Sequence, residues 1–522
     1  MHKVIISTVG LGSRLESLTK YKNKSLVALN NQPVISHQIN FFEPDTEFVV
    51  ALGYKGSLVR EYLELAHPNR NITFHEVSPF AGEGSSLGFT LISCKQYLQE
   101  PFIFLSCDTI VTEPIPKPDF NWVGYCKHSN PSNQYRTVNI IEHKIDKILE
   151  KDEKIFCDSK NYIGLCGIYD YKLFWEAYSS CDPKLLLQGE SVGLRALLDA
   201  RQIEGIPFTW FDTGNLHSLD ASRKSFSQQD SPNILVKEDE DIWFVNESVI
   251  KFFSNSKIVR DRVLRAGQLD GFVPPIVSAK NNMYLYHKLT GKVVSDCIDI
   301  ELFRKLLDFS SYFWQPINNI EGHPEIREYC YQFYKHKTLA RVQQFQKRYA
   351  GFDGEITVNG INLPSTIDQL NLLNWHELCD GIPVRFHGDY HFENILYNNA
   401  DGKFMLLDWR QDFAGNLSWG DIYYDLAKLL HGLIVNHDYV ANDLYSVNNK
   451  GSNSYMIDIR QRLIYFDCIN ELKLWCSKNN LSFTRVQIIC ALIFLNISPL
   501  HHQPYANFLH LLGKKMLSEV KP

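Results

Sequence analysis

The stretch VRFHGDYHFENILYNNADGKFMLLDWRQDF, residues 384–413, constrains this chain more than any other. It places His387-Gly388-Asp389-x-His391-x-x-Asn394 ahead of an apolar run that ends in Leu407-Asp408-Trp409. An Asp, an Asn five residues on and a second Asp beyond a hairpin are the groups needed to make an alcohol attack a nucleoside triphosphate. Asp389 can accept the hydroxyl proton, while Asn394 and Asp408 offer Mg²⁺ the hard oxygens it prefers. A polar turn between two core strands would account for an isolated HGD. The spaced Asn and the later Asp-Trp point instead to phosphoryl transfer.

On these residues the segment resembles the catalytic loop and metal-binding Asp of the aminoglycoside phosphotransferase and choline kinase superfamily. The resemblance implies a two-lobed, protein-kinase-like domain. Val249-Ile-Lys251-Phe-Phe puts Lys251 where such kinases carry a small-lobe lysine that grips the α/β-phosphates. A lysine that merely protects an edge strand competes with this reading. No glycine-rich loop precedes it, and the helix expected over 257–269 offers no Glu to pair with it, Asp261 being the nearest acid. Met283 to Gly291 resembles the superfamily's hinge strand. Residues 300–348 show helical spacing with many aromatics, which reads as a core face. Trp419-Gly-Asp421-Ile-Tyr-Tyr-Asp425 resembles a motif whose Asp caps a bracing helix, so Asp421 and Asp425 are expected to support rather than react.

The front of the chain carries a different pattern. Val4 to Val9 predicts a short buried strand, followed by Gly10-Leu11-Gly12-Ser13-Arg14, a tight turn into a helix. Such a turn lets backbone N–H groups approach a polyphosphate, and Arg14 and Lys24 can neutralise its charge. The longer phrase GLGSRLESLTKYKNKSLV, residues 10–27, resembles the signature loop of the sugar-phosphate nucleotidyltransferases, with Lys24 as their signature lysine. The resemblance extends along the chain. Gly82 to Gly88, with Gly84, stands where the family has a turn touching the base. Asp108 stands at its strand-end Mg²⁺ ligand, Lys151 of Glu150-Lys151 at its sugar-phosphate lysine, and Asp212 at its second metal-binding Asp. Gly10, Leu11, Gly12 and Ser13 are then nucleotide-binding. Two departures are Ser7-Thr8-Val9 in place of small apolar residues, and Cys107 in place of a glycine. The chemistry implied is in-line attack by an acceptor phosphate on an α-phosphorus, with pyrophosphate leaving.

The 522 residues suit two or three domains, and 44% hydrophobic with 21% charged residues is ordinary for a globular protein. A net charge of −6 gives no reason to expect nucleic acid as a partner. Twelve Cys occur without a C-x-x-C pair, which suits free thiols in a reducing cytosol. Neither a signal peptide nor membrane insertion is expected, and the apolar 487–498 segment is read as a buried helix.

The polar, proline-bearing SFSQQDSPN at 225–233 reads as a linker. The fold class expected is therefore α/β: a Rossmann-like nucleotidyltransferase domain at 1–228, with a mixed, mostly parallel sheet, then the two-lobed phosphotransferase domain at 229–522. Its small lobe is expected at about 233–295 and its large lobe at about 296–522. The pairing implies consecutive steps: ATP phosphorylates a small alcohol or sugar, and a second NTP activates that phosphate for surface polysaccharide synthesis. The acceptor stays open between a sugar and an amino alcohol, the base is undetermined, and a homo-oligomer is compatible with the pattern. The competing readings are a chain with one active half and a nucleotide-binding scaffold.

Overall fold

The computed structural model describes residues 2–128, 132–151, 153, 159–179, 182, 184–226, 238–316, 324–349, 351–352, 354–451 and 453–520. Most of the 225–233 linker lies outside these. The chain divides into two compact units: Met1–Val259 with Val277–Lys288, and Arg260–Ile276 with Leu289–Pro522.

The first unit is built on a nine-stranded sheet. Its first strand in sequence, Lys3–Ser7, pairs in parallel with Glu47–Leu52 on one side and Phe102–Ser106 on the other, and Asn71–Glu76 extends the parallel set. Val4, Ile5 and Ile6 are fully buried, as a strand covered on both faces requires. Beyond Phe102–Ser106 the pairing becomes mixed: Lys160–Ile168 runs antiparallel, followed by Trp122–Cys126, Glu204–Phe208, Lys144–Leu149 and Thr137–Ile141. The first strand stops at Ser7, short of the expected Val9. Thr8 instead gives both its N–H and its hydroxyl to the carbonyl of Ala51. The parallel strands release their loops at one carboxyl edge, where ligands bind in open α/β sheets.

A smaller antiparallel sheet belongs to this same unit: Glu240–Val245, Ser248–Phe253, Met283–His287 and Ser278–Ala279. Its inward residues Trp243, Val245, Ile250, Phe252, Met283 and Leu285 join one apolar cluster with Val4, Val50, Val59 and Tyr62 of the large sheet and its helix Gly56–Ala66. Trp243 meets Tyr62 edge-on at 5.1 Å. The strands expected of a kinase small lobe thus pack on the front domain's core.

The second unit is mainly helical. The apolar helix Phe483–Ile497 packs between Ile422–Ile434 and Tyr505–Glu519. By length and composition Phe483–Leu500 would suffice to cross a membrane, yet most of it is buried inside the protein. The 300–348 region forms helices Ile300–Phe313, Pro324–Cys330 and Lys337–Arg348, joined in part by a wide-turn segment Tyr331–His336. The hairpin Ile395–Asn398/Lys403–Leu406 carries the catalytic-loop motif on its leading side. The cysteines among the described residues are all free thiols.

Candidate active sites

In the first unit the site forms where loops leave the sheet's carboxyl edge. Gly12 has φ +69°, and a Cβ there would come within 2.9 Å of Thr19 and 3.0 Å of the Lys24 side chain, so glycine lets the loop fold over that lysine. Asn23 fixes the next turn. Its amide nitrogen donates to the carbonyls of Thr8 and Tyr54, and its oxygen accepts from the N–H of Ser25. Lys24 is thereby aimed at Asp108, Nζ to Oδ2 3.1 Å. Burial alone would raise the Asp108 carboxyl, but Lys24 and a 2.5 Å hydrogen bond from Ser106 hold it down at about 2. Burial likewise disfavours the Lys24 charge, and Asp108 reverses this, so its pKa is raised.

Asp212 reaches the same place through strand pairing. Trp210–Asp212 runs antiparallel to Thr109–Val111 with Asp212 opposite Thr109, which brings two carboxylates 104 positions apart in sequence to one point. A Cβ at Gly214 would lie 3.0 Å from an oxygen of each, and 3.4 Å from Nη2 of Arg14. Burial and the neighbouring Asp108 raise the Asp212 carboxyl. The Tyr135 hydroxyl donates to Asp212 Oδ2 at 2.7 Å. Lys151 is exposed. Partial burial lowers its pKa, as do Arg14 and Arg136, while Asp108 opposes the shift, so Lys151 stands within the field of the cluster. Its neighbour Glu150 is tied instead to Arg136 at 2.8 Å and Arg195 at 3.0 Å. Beside the site lies a cavity of about 240 Å³ lined by Ser7, Gly10, Lys24, Ser85, Ser86 and Thr90, among others. Gly84, at φ +84°, shapes the turn that leads to Ser85. Leu11 and Ser13 are exposed on the glycine turn. Lys251 is also in this unit, 4% exposed on Ser248–Phe253 between Ile242 and Tyr284.

In the second unit Asp425 braces the 387–394 loop. Its carboxylate accepts from the N–H groups of His387 and Gly388, both at 2.7 Å, and from Trp314 Nε1 at 3.0 Å. Burial raises its pKa to about 6 against these hydrogen bonds. Asp421 caps the helix Ile422–Ile434 and also accepts from the Ile382 N–H and the Tyr334 hydroxyl. Both therefore hold structure, as the sequence suggested.

Asp389 faces three groups. Lys428 Nζ lies 2.6 Å from Oδ1; Asn394 Nδ2 and His391 Nε2 lie 3.1 and 3.5 Å from Oδ2. Burial would raise this carboxyl, but Lys428 and His391 hold it well below the usual range. His391 is pushed up to about 9: burial opposes its charge, and Asp389 and Glu393 overcome that. The carbonyl of Asn394 accepts from the Leu407 N–H at 2.7 Å, which sets the position of Asp408, itself at φ +56°. Asp408 pairs with Arg262, whose carbonyl accepts from Trp409 Nε1. Lys428, Arg262 and Tyr135 were not singled out from the sequence. Each belongs to a helix or loop remote from the motif it touches, and no local spacing marks it.

Residues 312–443 match the model of the phosphotransferase enzyme family, APH. The D-glycero-alpha-D-manno-heptose 1-phosphate guanylyltransferase of Campylobacter jejuni is 25% identical over 159 residues, which is 30% of this chain and 69% of that protein. The bifunctional protein GlmU of Methanocaldococcus jannaschii is 23% identical over 256 residues, 47% of this chain and 60% of that one. Among solved structures, a glucose-1-phosphate thymidylyltransferase from Bacillus anthracis in complex with a sucrose has 18% identity and a TM-score of 0.37, covering 46% of this chain and 98% of that one. An APH phosphotransferase domain thus lies in the C-terminal half, and the N-terminal region matches sugar-phosphate nucleotidyltransferases.

Proposed function

We propose that this chain carries out two consecutive transfers: an ATP-dependent phosphorylation of a small hydroxylated acceptor, then nucleotidyl transfer from a second NTP onto the resulting phosphate. The observation that carries the reading is the meeting of Arg14, Asp108 and Asp212 around Gly214, with Lys24 paired to Asp108, four groups from three separate segments. In the first unit Lys24 and Arg14 would neutralise the triphosphate as the acceptor phosphate attacks its α-phosphorus and pyrophosphate departs. Lys151 would orient the acceptor phosphate, and the turn Gly10 to Ser13 with Gly84 would hold the nucleotide. In the second unit Asp389 would orient the acceptor hydroxyl and take its proton. The hydroxyl oxygen bonds to the γ-phosphorus, the bond to the β,γ-bridging oxygen breaks, and ADP leaves.

The donor chemistry fits magnesium. Asp108 and Asp212 converge as two hard carboxylates that repel one another, and Asn394 and Asp408 offer an amide and a carboxylate oxygen, the latter after release from Arg262. Bound at these residues, Mg²⁺ supplies charge neutralisation to the phosphates. The reading places the protein in the cytoplasm, with nucleotide-activated sugars or amino alcohols for surface polysaccharide as products.

Two substitutions test it on the full chain. Asp389→Asn is expected to abolish ADP formation and leave pyrophosphate release from a supplied acceptor phosphate intact; Asp108→Ala is expected to do the reverse. Loss of both activities from either change would sink the two-centre picture.

A further inference from the structure

The polar residues around Asp389 divide into two groups. One is accounted for by the loop itself: His391, Glu393 and Lys428 are bound to one another or to Asp389. The other is a set of cations with no partner of opposite charge. Lys337 Nζ lies 4.3 Å from the centre of the Phe333 ring, and the Arg410 guanidinium lies 4.9 Å from the centre of the same ring. Tyr424 meets that ring edge-on at 4.8 Å, and Tyr424 feels the charges of Arg410, Lys428 and Asp389. The Arg410 side chain runs across Gly388, next to Asp389, where a Cβ would collide with it. Its backbone N–H is clipped to the carbonyl of His387 at 2.9 Å. This places the cations beside the catalytic loop.

Among the described residues Lys337, Arg341 and Arg410 form no ion pair. Burial drives Lys337 well below the ordinary lysine range, and Arg410, Arg341 and Lys428 drive it further, with Asp412 opposing. Asp412 is engaged in its own turn, accepting from the Gly415 N–H at 3.0 Å. Arg341 follows Lys337 by one turn of the helix Lys337–Arg348 and donates to the neutral Gln344 at 2.8 Å; burial and then Arg410 lower it. Gathering like charges in a half-buried place costs stability, and structural lysines and arginines are normally paired there. Cost of this kind concentrates where a ligand supplies the missing charge. The wide-turn segment Tyr331–His336 carries Phe333 and leads into Lys337, and such segments recur at binding sites.

We propose that the acceptor phosphorylated at Asp389 is itself an anion: a hydroxylated small molecule whose carboxylate or phosphate ester is held by Lys337, Arg341 and Arg410. This rests on the kinase reading above and narrows it, since neither a neutral sugar nor a quaternary amino alcohol would offset these charges.

The test uses the full chain with Mg²⁺ and ADP in calorimetry, and with Mg²⁺ and ATP in an ADP-release assay. The probes are polyol phosphates, aldonic acids, the parent neutral polyols and choline. The expected result is binding and turnover of a phosphate or a carboxylate probe at least about 100-fold above its neutral parent, and the two anion arms identify which group is read. The double variant Lys337→Met, Arg341→Gln is expected to raise KM for that probe at least about 10-fold with kcat little changed and nucleotidyl transfer unaltered. Its unfolding temperature should not fall, because removing repelling charges does not destabilise; a merely structural role would lower it. Lys337→Arg should restore KM. No heat with either class of anion, better turnover of neutral polyols or choline, or an unchanged KM in the double variant each overturns the proposal. Anion binding that depends on Lys337 and Arg341 but brings no ADP release would keep the anion site and overturn the kinase reading on which its role as acceptor rests.

Discussion

Tyr135 shows how one hydroxyl can govern a pair of repelling carboxylates. It donates 2.7 Å to Asp212, and its ring meets Trp210 at 4.9 Å, so the donor is held by packing as well as by the hydrogen bond. Burial raises the Tyr135 phenol to about 12, which keeps it a donor throughout the working pH range. Under the proposed reading Asp212 is a metal ligand and Tyr135 sets its orientation from behind. Tyr135→Phe is expected to lower nucleotidyl transfer about 10- to 100-fold and raise the Mg²⁺ concentration needed for half-maximal rate, with the unfolding temperature nearly unchanged. A variant with wild-type Mg²⁺ dependence would remove that role. Asp108 and Asp212 were legible in the sequence because each ends a recognisable strand or motif. Tyr135 was not, because its partner lies 77 positions away and tyrosine alone carries no pattern.

At the scale of elements, the helix Ile422–Ile434 does more than brace. Its first turn is capped by Asp421, Asp425 reaches the 387–394 loop from the same side, and Lys428 one turn on reaches Asp389. The three acting residues thus stand at i, i+4 and i+7, one stripe of a helix. Asp425→Ala would leave the His387 and Gly388 N–H groups and Trp314 Nε1 buried without acceptors. It is expected to cost about 3–5 kcal/mol in the second unit and to abolish ADP formation, while pyrophosphate release persists. A denaturation curve unchanged by the substitution would contradict this. The Asp421/Asp425 pattern was readable from the sequence, since capping and loop support follow from local spacing. The reach of Lys428 depends on how the helix is rotated against the loop, which spacing does not state.

For the molecule as a whole, the compact units do not follow the motif boundary. The sequence places a change of pattern at 225–233, yet strands 240–245, 248–253 and 283–287 share the apolar cluster of the first unit. Trp243 is fully buried, edge-on to Tyr62 and stacked on Phe252 at 5.6 Å. Lys22, which is 4% exposed, is tied to Asp241 at 2.5 Å, so the join is polar as well as apolar. Trp243→Ala is expected to cost about 3–5 kcal/mol, read as lower heat resistance of nucleotidyl transfer although the residue lies beyond position 228. Unchanged heat resistance would return the boundary to 228.

What the amino-acid order determined by itself is the chemistry held within single turns. Gly10 to Ser13, and Asp389 to Asn394, are short enough that local backbone geometry brings their groups together. Only the tertiary structure decided which remote side chains face those groups: Lys428 on Asp389, Arg262 on Asp408, and Lys337 and Arg410 on one ring. It also decided which core covers the 240–253 sheet. An apolar face or a charged residue specifies that it needs a partner, whereas the identity of that partner is settled by how distant elements pack.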